Sequence, residues 1–320
     1  MKAAVVETFA APPRYEDFAD PTATGDEVLV TVTAAGLHPI VKALASGSHY
    51  SSTGALPFIP GVDGVGRLDD GTRVFFGAAR SPYGTFAERA PAARRRCFSI
   101  PDALDDVTVA AMMNPGMSSW AALAERVHFT AGEAVLILGA TGSAGQLAVQ
   151  IAKRMGARHV VAVGRDPVAL DETRALGADA TISLGLEHDA LVAALREEIA
   201  GNQIDVILDY LWGAPAEAAL AAIAQKGPGQ AAARIRYVQI GNSAGPTITL
   251  PAAILRSSGL EMLGSGFGSV SMERLFAALA DFLQAATQSP FQIKATALPL
   301  RDVESLWNAP DRGARLVFAP

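Results

Sequence analysis

The chain has 320 residues, half of them hydrophobic, and its 26 basic and 32 acidic side chains give a net charge of −6. This length exceeds a single typical core and predicts two domains. The acidic balance and the charged fraction of 18% indicate a well-buried enzyme and argue against nonspecific binding to nucleic acid or to a membrane surface.

The first residues and the single cysteine indicate the compartment. The N-terminus has no long apolar segment of the signal-peptide type, and no run of about 18 uncharged apolar residues predicts a membrane-spanning helix. Cys97 is the only cysteine, which leaves no disulfide framework and no cysteine-rich zinc site. We therefore expect a cytoplasmic protein in which Cys97 is a packing residue.

Residues 1 to about 115 carry strand and turn signals. Residues 27–33 alternate between apolar and polar side chains, as in a half-buried strand, and residues 61–66 and 71–76 continue with short strands and glycine turns. From about Asp102 the pattern becomes helical. The N-terminal third is therefore predicted to be β-rich.

A dinucleotide motif follows. Residues 135–138 are all apolar, like a buried parallel strand, and they lead through a glycine-rich turn into a helical periodicity. Gly142 would let the backbone approach a pyrophosphate, and Gly145 would let the helix pack closely on the strand. The helix N-terminus would attract the phosphates. The predicted cofactor residues of this turn are Ala140, Thr141, Gly142, Ser143, Ala144 and Gly145.

The alternative for this motif is an ordinary tight turn between a strand and a helix. A second apolar, β-branched run at residues 159–163 favours dinucleotide binding, because its distance from the first strand matches one βαβ unit of about 30 residues. At its end stand Gly164, Arg165 and Asp166. Arg165 is suited to a 2′-phosphate and predicts NADPH, although Asp166 lies where an NAD site has its acid. Because Pro167 follows, Asp166 could instead cap the next helix, and Arg165 could be a solvated surface arginine.

Strands alternate with helices from residue 133 to about 265, and this pattern predicts a doubly wound α/β domain with a six-stranded parallel sheet. The predicted strands are 135–138, 159–163, 180–183, 206–208, 235–240 and 260–263. Loops at the carboxyl ends of such strands line the ligand crevice. Asp209 and Tyr210 end the fourth strand and lie on this rim. Asn242 could contact the cofactor, or it could be an ordinary surface loop residue. Further cofactor-binding candidates are predicted at the ends of the last three strands and in the loops that follow them: Asp209, Gly241, Asn242, Ser243, Gly264, Ser265 and Phe267.

Beyond residue 268, an amphipathic helix is predicted over residues 272 to about 286. Strands are predicted at residues 291–296 and 315–318.

Six short segments combine into a pattern that spans the whole chain. They are Gly36-Leu-His-Pro-Ile40, Pro60-Gly-Val-Asp-Gly-Val-Gly66, Tyr83-Gly-Thr-Phe-Ala-Glu88, Gly116-Met-Ser-Ser-Trp120, the stretch from Ala140 to Lys153, and Leu176-Gly-Ala-Asp179. In this order and spacing the chain resembles the medium-chain dehydrogenase/reductase superfamily, specifically its zinc-independent quinone oxidoreductase branch.

The resemblance implies an architecture and further site residues. It implies a GroES-like β-rich catalytic domain at residues 1–115, a Rossmann domain at 116–265, a return to the first domain at 266–320, and a homodimer joined through the last Rossmann strand. His38 and Tyr50 match the substrate-facing segment and are the catalytic candidates, His38 first. The alternatives are that His38 replaces a structural hydrogen bond and that Tyr50 packs on the cleft rim. Ser118 and Ser119 match positions that touch the nicotinamide, or they cap a helix.

Several residues differ from the pattern of this branch, and they affect the predictions about phosphate recognition and metal binding. His38 replaces the usual asparagine, and Val168 and Leu184 stand where a lysine and a tyrosine often help to hold the 2′-phosphate, so phosphate recognition would rest mainly on Arg165. Val62 stands where zinc relatives have a histidine ligand, and the histidines show no metal-ligand spacing. We expect no metal; the alternative is a non-standard site formed by His38, His49 and Asp63.

These features predict an NADPH-dependent, metal-free reductase that transfers hydride to small-molecule quinones or α,β-unsaturated carbonyls. One alternative is an enoyl-thioester reductase, or another alkenal or ketone reductase, of the same superfamily. A second alternative is a low-turnover NADPH-binding redox sensor.

Overall fold

The structure is a computed structural model that describes residues 1–77, 79–224, 233–310 and 313–320. Two compact units are distinguished among these residues. The first comprises residues 1–115 and 283–320, and the second comprises residues 116–282. None of the helices in the described ranges has the length and apolar character needed to cross a bilayer.

The elements up to the nucleotide motif are β1 (Lys2–Val5), β2 (Arg14–Asp17), β3 (Glu27–Gly36), α1 (Pro39–Ala45), β4 (Asp63–Arg67), β5 (Arg73–Gly77), β6 (Arg89–Ala93), β7 (Cys97–Ser99) and α2 (Asp106–Ala121). The next are β8 (Ala134–Leu138), α3 (Ser143–Arg154), β9 (His159–Gly164), α4 (Pro167–Ala175), β10 (Ala180–Ser183), α5 (His188–Gly201), β11 (Val206–Asp209) and α6 (Gly213–Ile223). The last are β12 (Arg234–Gln239), α7 (Ala252–Arg256), β13 (Gly259–Gly264), α8 (Met272–Gln288), β14 (Ala295–Pro299), α9 (Val303–Leu306) and β15 (Arg315–Ala319).

The first unit is built on an antiparallel framework. Its main sheet has the strand order β14-β15-β3-β4-β5-β7, with β6 paired to β3. The edge pair β14 and β15 is parallel, whereas β15 joins β3 in antiparallel register. The chain therefore returns to this unit at its C-terminal end by adding two strands to one sheet.

An aromatic cluster holds the two chain segments of the first unit together. Phe86, Trp307 and Phe318 are buried. The ring of Phe86 lies 6.1 Å from that of Trp307 and 5.6 Å from that of Phe318, measured between centroids. Such contacts contribute beyond the area they bury, so residues from both segments form one core.

The second unit is a doubly wound parallel sheet. Its strand order is β10-β9-β8-β11-β12-β13, and all five neighbouring pairs are parallel. The chain runs outward from β8 through β9 to β10, then returns to the other side of β8 and continues from β11 to β13. Strands β8 and β11 are buried along their whole length, as expected for strands with helices on both faces. The predicted fold class is confirmed. The limits of each of the six predicted strands differ by no more than two residues from those of an observed strand.

One C-terminal prediction is wrong in position. The strand predicted at residues 291–296 is observed as β14, four residues later in the chain. Alternation of apolar and polar residues continues through both stretches, but the ladder with β15 begins only at Ala295, which pairs with Arg315. The partner strand, and not the local pattern, therefore sets the start of β14.

Candidate functional site

The turn after β8 brings a helix N-terminus close to a strand. Gly139 has a positive φ of 90°, and the N–H groups of Gly139 and Ala140 both donate to the carbonyl oxygen of Val163, each at 2.9 Å. A Cβ atom on Gly145 would lie 2.5 Å from Cα of Ala140, so a side chain there would push α3 away from the strand. The prediction that Gly145 permits close packing of helix and strand is confirmed.

The start of α3 is accessible to an anion. Gly142 is the N-cap and has no side chain to bond the first N–H groups of the helix. The nearest neighbour of a Cβ atom on Gly142 would be the carbonyl oxygen of Gly139, at 3.8 Å, which leaves room in front of the helix. Unsatisfied N–H groups and the helix dipole suit a pyrophosphate. This turn brings together the predicted cofactor residues Ala140, Thr141, Gly142, Ser143, Ala144 and Gly145, and their contact with a cofactor stays a prediction.

The end of β9 lies against the same turn. A Cβ atom on Gly164 would collide with the side chain of Thr141, whose Oγ1 would lie 2.9 Å away. Arg165 follows and is exposed. Oδ1 of Asp166 accepts hydrogen bonds from the N–H groups of Val168 and Ala169, at 2.9 and 3.3 Å.

The interpretation of Asp166 as a helix cap is therefore confirmed. Its carboxylate is engaged at the start of α4, whereas Arg165 projects from the strand end with a charge suited to a 2′-phosphate. Val168, at the position where the resemblance expects a lysine, is 70% exposed.

Asp209, at the end of β11, is buried, and its carboxylate accepts three hydrogen bonds from the protein. Its Oδ1 accepts the N–H groups of Leu211 and Trp212, at 2.8 and 2.9 Å, and its Oδ2 accepts the hydroxyl of Tyr237 at 2.6 Å. Burial raises the pKa of Asp209, and these hydrogen bonds offset only part of the rise. Because protein donors reach both carboxylate oxygens, Asp209 holds the loop after β11. Its contact with a cofactor stays a prediction.

The loop that Asp209 holds has a strained backbone. Trp212 adopts φ 56° and ψ −158°, a combination that side chains with a Cβ atom rarely adopt. Its ring packs edge-on against Tyr237, with the centroids 6.4 Å apart. The next residue, Gly213, also has a positive φ, and a Cβ atom there would lie 2.8 Å from the carbonyl oxygen of Ala244. The loops after β11 and β12 therefore support each other.

Tyr210 was placed on this rim from the sequence but was not among the predicted catalytic or cofactor-binding residues. It follows Asp209, and its hydroxyl lies 3.4 Å from Oγ of Ser118. Burial raises the pKa of Tyr210 to about 12, against a smaller opposing effect of hydrogen bonds with Ser118 and Ser119. Position at the carboxyl end of a strand was the signal that could have identified it.

Ser118 and Ser119 lie inside α2, near its C-terminal end, so the alternative that they cap a helix is wrong. The hydroxyl of the fully buried Ser119 donates to the carbonyl oxygen of Gly116 at 3.0 Å. Ser118 faces Tyr210. The apolar pattern of this region showed a helix but not where it begins, and the structure starts α2 at Asp106.

The loop after β12 packs on Tyr210. A Cβ atom on Gly241 would lie 2.7 Å from the carbonyl oxygen of Tyr210, and Oγ of Ser243 donates to the same oxygen at 3.1 Å. Asn242, between them, is exposed. These three predicted residues therefore lie beside the end of β11.

The loop after β13 is held by an arginine that the sequence did not indicate. Arg126, in a π-helical turn after α2, donates from Nε to the carbonyl oxygen of Gly264 at 2.8 Å and from Nη1 to that of Ser269 at 3.1 Å. The N–H of Ser265 donates to the carbonyl oxygen of Gln239 at 2.8 Å, and Phe267 is 43% exposed. Single π-helical turns are frequent at functional sites. The predicted residues Gly264, Ser265 and Phe267 thus lie in a loop with fixed ends.

A buried polar cluster lies in the first unit. His38 is 1% exposed, and its Nε2 lies 3.3 Å from Oδ1 of Asp63. Oδ2 of Asp63 accepts a hydrogen bond from Nδ2 of Asn114 at 2.9 Å. A Cβ atom on Gly36 would lie 2.5 Å from Nε2 of His38, so the imidazole ring packs directly on that glycine.

The cluster retains unused hydrogen-bonding capacity. Neither ring nitrogen of His38 has a hydrogen-bond partner among the described residues, and the same holds for Oδ1 of Asp63. Unsatisfied buried polar atoms are unusual and often mark a functional site. Asn114, the partner of Asp63, was not identified from the sequence, because only the fold places it beside β4.

Tyr50 is placed differently from His38. It is 72% exposed and lies in the loop after α1, where its ring stacks on His49 with the centroids 4.2 Å apart. Both the catalytic role of Tyr50 and the alternative that it packs on the cleft rim stay predictions.

In the described part of the chain, no group of three or more His, Cys, Asp or Glu side chains could hold a metal ion. The metal-free expectation stays a prediction. Cys97 packs against the cluster around Val30 and Phe76, and burial raises the pKa of its thiol. The packing interpretation of Cys97 is thereby confirmed.

Comparison with known proteins finds similarity to a dehydrogenase family and to named reductases. A family model described as zinc-binding dehydrogenase matches residues 144–285. The probable NADPH-dependent quinone reductase tdiC of Emericella nidulans is 30% identical, over 100% of both chains. The trans-enoyl reductase pgmF of Aspergillus terreus is 31% identical, over 59% of this chain and 58% of its own length.

Among solved structures, the quinone oxidoreductase of Thermus thermophilus, solved also in its complex with NADPH, covers 100% of both chains with a TM-score of 0.83 and 26% identity. The full-length match to a relative at 30% identity shows the family. The chain therefore belongs to the medium-chain dehydrogenase/reductase superfamily, in its quinone oxidoreductase branch.

Proposed function

We propose that the protein is an NADPH-dependent oxidoreductase that reduces quinones or α,β-unsaturated carbonyl compounds. One structural observation carries the cofactor assignment. At the end of β9 the carboxylate of Asp166 caps α4, while Arg165 is exposed beside it. A 2′-phosphate needs a cation at this position, and a ribose 2′-hydroxyl needs a carboxylate. The full-length relative named as an NADPH-dependent quinone reductase supports the same activity.

The second unit would bind the cofactor and the first would serve as the catalytic domain. The N-terminus of α3 and the Gly142 backbone would receive the pyrophosphate, and Arg165 the 2′-phosphate. When bound, NADPH supplies the hydride. The loops that Asp209 and Arg126 hold would fix the remaining walls of the crevice before the ligand arrives, which lowers the entropic cost of binding.

His38 and Tyr50 are the proposed catalytic residues of the first unit. A histidine ring nitrogen can carry the proton that the reduced substrate takes up, and the adjacent Asp63 would fix the ring position. The ring nitrogens of His38 are buried and make no hydrogen bond among the described residues beyond the 3.3 Å contact of Nε2 with Asp63, which supports a chemical role over a purely structural bond. Tyr50, on a loop and exposed, would contact the substrate from the rim.

The assembly and location of the protein are part of the proposal. Strand β13 ends the parallel sheet, and an edge strand offers unpaired N–H and C=O groups to a second copy. A metal-free, cytoplasmic homodimer is the proposed form. Sedimentation of the purified protein tests the dimer, and unchanged activity after chelation tests the absence of a metal.

Enoyl-thioester reduction is the second candidate, favoured by the relative named as a trans-enoyl reductase. Steady-state NADPH consumption with 1,4-benzoquinone, 2-cyclohexen-1-one and crotonyl-CoA separates the candidates. Turnover of the quinone or the enone supports the proposal, and turnover of the thioester alone supports the second candidate. NADPH binding without turnover of any of the three would instead support a redox sensor.

A further inference from the structure

Tyr210 occupies the point at which the sheet reverses its strand order. The chain leaves β8 toward β9 on one side and returns to β11 on the other, and ligands of doubly wound sheets bind at this switch point. Asp209 of β11 pairs with Leu138 of β8, and Tyr210 is the next residue. Tyr210 therefore stands directly opposite the turn that begins at Gly139.

The backbone of Tyr210 is fixed from two sides. Its N–H donates to the carbonyl oxygen of Leu138 at 3.1 Å, and its own carbonyl oxygen accepts the hydroxyl of Ser243 at 3.1 Å. A Cβ atom on Gly139 would lie 3.3 Å from Cβ of Tyr210, so the tyrosine packs on the turn itself. The side chain is therefore carried by a rigid support, as a positioned donor requires.

The hydroxyl group of Tyr210 has a loose protein partner. It lies 3.4 Å from Oγ of Ser118, which is long beside the usual O–H···O distance of about 2.7–2.8 Å. The Tyr210 side chain is partly buried. Because its pKa is raised to about 12, the phenol remains an O–H donor through neutral and mildly alkaline pH. A ligand oxygen at the switch point would receive this hydrogen bond in place of the contacts with Ser118 and Ser119.

We propose that Tyr210, with Ser118 beside it, donates a hydrogen bond to the carbonyl oxygen of the substrate. This inference rests on the proposed function. In the reduction of an enone, hydride from NADPH adds to the β-carbon. The C=C electron pair then forms a double bond to the carbonyl carbon, and the C=O electron pair moves onto the oxygen. A proton taken up from solvent, directly or through His38, then adds to the carbon next to the carbonyl carbon and completes the product. Tyr210 keeps its proton throughout and stabilises the charge on oxygen, and such donors are among the largest contributors to catalysis.

The experiment compares Tyr210→Phe, Ser118→Ala and Ser118→Thr with wild type, using 2-cyclohexen-1-one and 1,4-benzoquinone as substrates. Tyr83→Phe is the matched control, because it removes an exposed phenol hydroxyl from the first unit. We expect Tyr210→Phe to lower kcat about 100-fold with little change in KM for NADPH. Ser118→Ala should lower kcat by about 10-fold or less, and Ser118→Thr should restore most of the activity.

A spectroscopic readout separates a donor from a structural residue. Isotope-edited infrared spectra of 2-cyclohexen-1-one in the complex with NADP⁺ report the carbonyl stretch. A hydrogen bond from Tyr210 lowers this frequency in wild type, and Tyr210→Phe should return it toward the value without that donor. The pH profile adds a second readout: Tyr210→Phe should leave the shape of the wild-type kcat profile unchanged through the mildly alkaline range, since Tyr210 does not lose its proton there.

Four results would overturn the inference. Tyr210→Phe with a kcat within about threefold of wild type, or with an unchanged carbonyl frequency, would remove the donor role. A raised KM for NADPH at constant kcat would assign Tyr210 to the cofactor instead. If the wild-type protein oxidises NADPH with neither substrate, the proposed function is refuted as well. Failure of the Tyr210 inference alone, with an active wild type, is therefore distinguishable from failure of the proposed function.

Discussion

The hydroxyl of Tyr237 donates a 2.6 Å hydrogen bond to Oδ2 of Asp209, and both side chains are fully buried. The other carboxylate oxygen accepts the N–H groups of Leu211 and Trp212. Asp209 thereby connects a neighbouring strand to the strained loop after β11. Two predictions concern this connection.

Tyr237→Phe should lower the free energy of unfolding by about 2 kcal/mol, because it leaves a buried carboxylate oxygen without its donor. Urea denaturation at neutral pH measures the loss. Tyr83→Phe, which removes an exposed hydroxyl, should change stability by less than about 0.5 kcal/mol. Equal effects of the two substitutions would show that the bond to Asp209 contributes nothing.

Asp209→Asn should change stability in a pH-dependent manner. Burial raises the pKa of Asp209 in the folded protein. The folded state then holds the proton more tightly than the unfolded chain. The contribution of Asp209 to the free energy of unfolding is therefore fully present below the unfolded pKa, and it is lost as the pH rises through the folded pKa. Because the variant does not titrate, its stability relative to wild type should rise as the pH increases from about 4, near the unfolded pKa of an aspartate, through the folded pKa of Asp209.

Asp179→Asn provides the control of opposite sign. Burial alone would raise the pKa of Asp179, but Lys153 at 2.6 Å and the N–H of Val160 at 2.7 Å outweigh it and hold the pKa below its ordinary value. Wild-type stability from this group is present above the unfolded pKa and is lost as pH falls through the folded one. The variant should therefore lose more stability at neutral than at acid pH, and urea denaturation in which both variants show the same pH trend would contradict these assignments.

Gly145→Ala should destabilise the second unit and abolish cofactor binding. The added Cβ atom would lie 2.5 Å from Cα of Ala140, and overpacking of this kind costs about 1–3 kcal/mol or more. Gly201→Ala, at the end of α5, places its Cβ atom where no heavy atom lies within 4 Å, and helix propensity favours it by up to about 1 kcal/mol. Thermal unfolding with and without NADPH compares them. A Gly145→Ala protein that is stable and still stabilised by NADPH would disprove the packing argument.

His38→Asn should keep measurable activity. An amide at this position offers an N–H donor toward Oδ1 of Asp63, which lies 3.3 Å from Nε2 of His38. His38→Leu should be less stable by about 3 kcal/mol, because it leaves the carboxylate of Asp63 buried beside an apolar side chain. Turnover measurements and urea denaturation check both variants. If His38→Asn binds NADPH but has no activity, His38 is an essential proton donor.

The order of elements in the second unit was predictable because it depends on local signals. All-apolar runs predict buried parallel strands, and the 3.6-residue period predicts the helices between them, so β8 and α3 were found together with their turn. In the first unit, β14 was displaced because its limits depend on pairing with β15, a contact that no local pattern encodes.

The candidate site was predictable only in part. Glycines such as Gly145 and Gly164 follow from the motif, because close packing excludes a side chain there. By contrast, the sequence placed Tyr210 on the rim without a role and did not indicate Arg126, because only the fold brings these side chains to Ser118 and Gly264. Asp209 lay on the predicted rim, but the sequence did not show that Tyr237 and two N–H groups occupy its carboxylate.

The most direct test of an NADPH-dependent reductase is a fluorescence titration of wild type and Arg165→Ala with NADPH and with NADH, followed by 1,4-benzoquinone. Arg301→Ala, an exposed arginine of the first unit, is the control. We predict that wild type prefers NADPH and that quinone oxidises the bound cofactor. Arg165→Ala should weaken NADPH about 10- to 100-fold and NADH hardly at all, since a charge-assisted hydrogen bond contributes about 1.5–3 kcal/mol. An equal loss for both cofactors, no loss, or no oxidation by quinone would contradict the account.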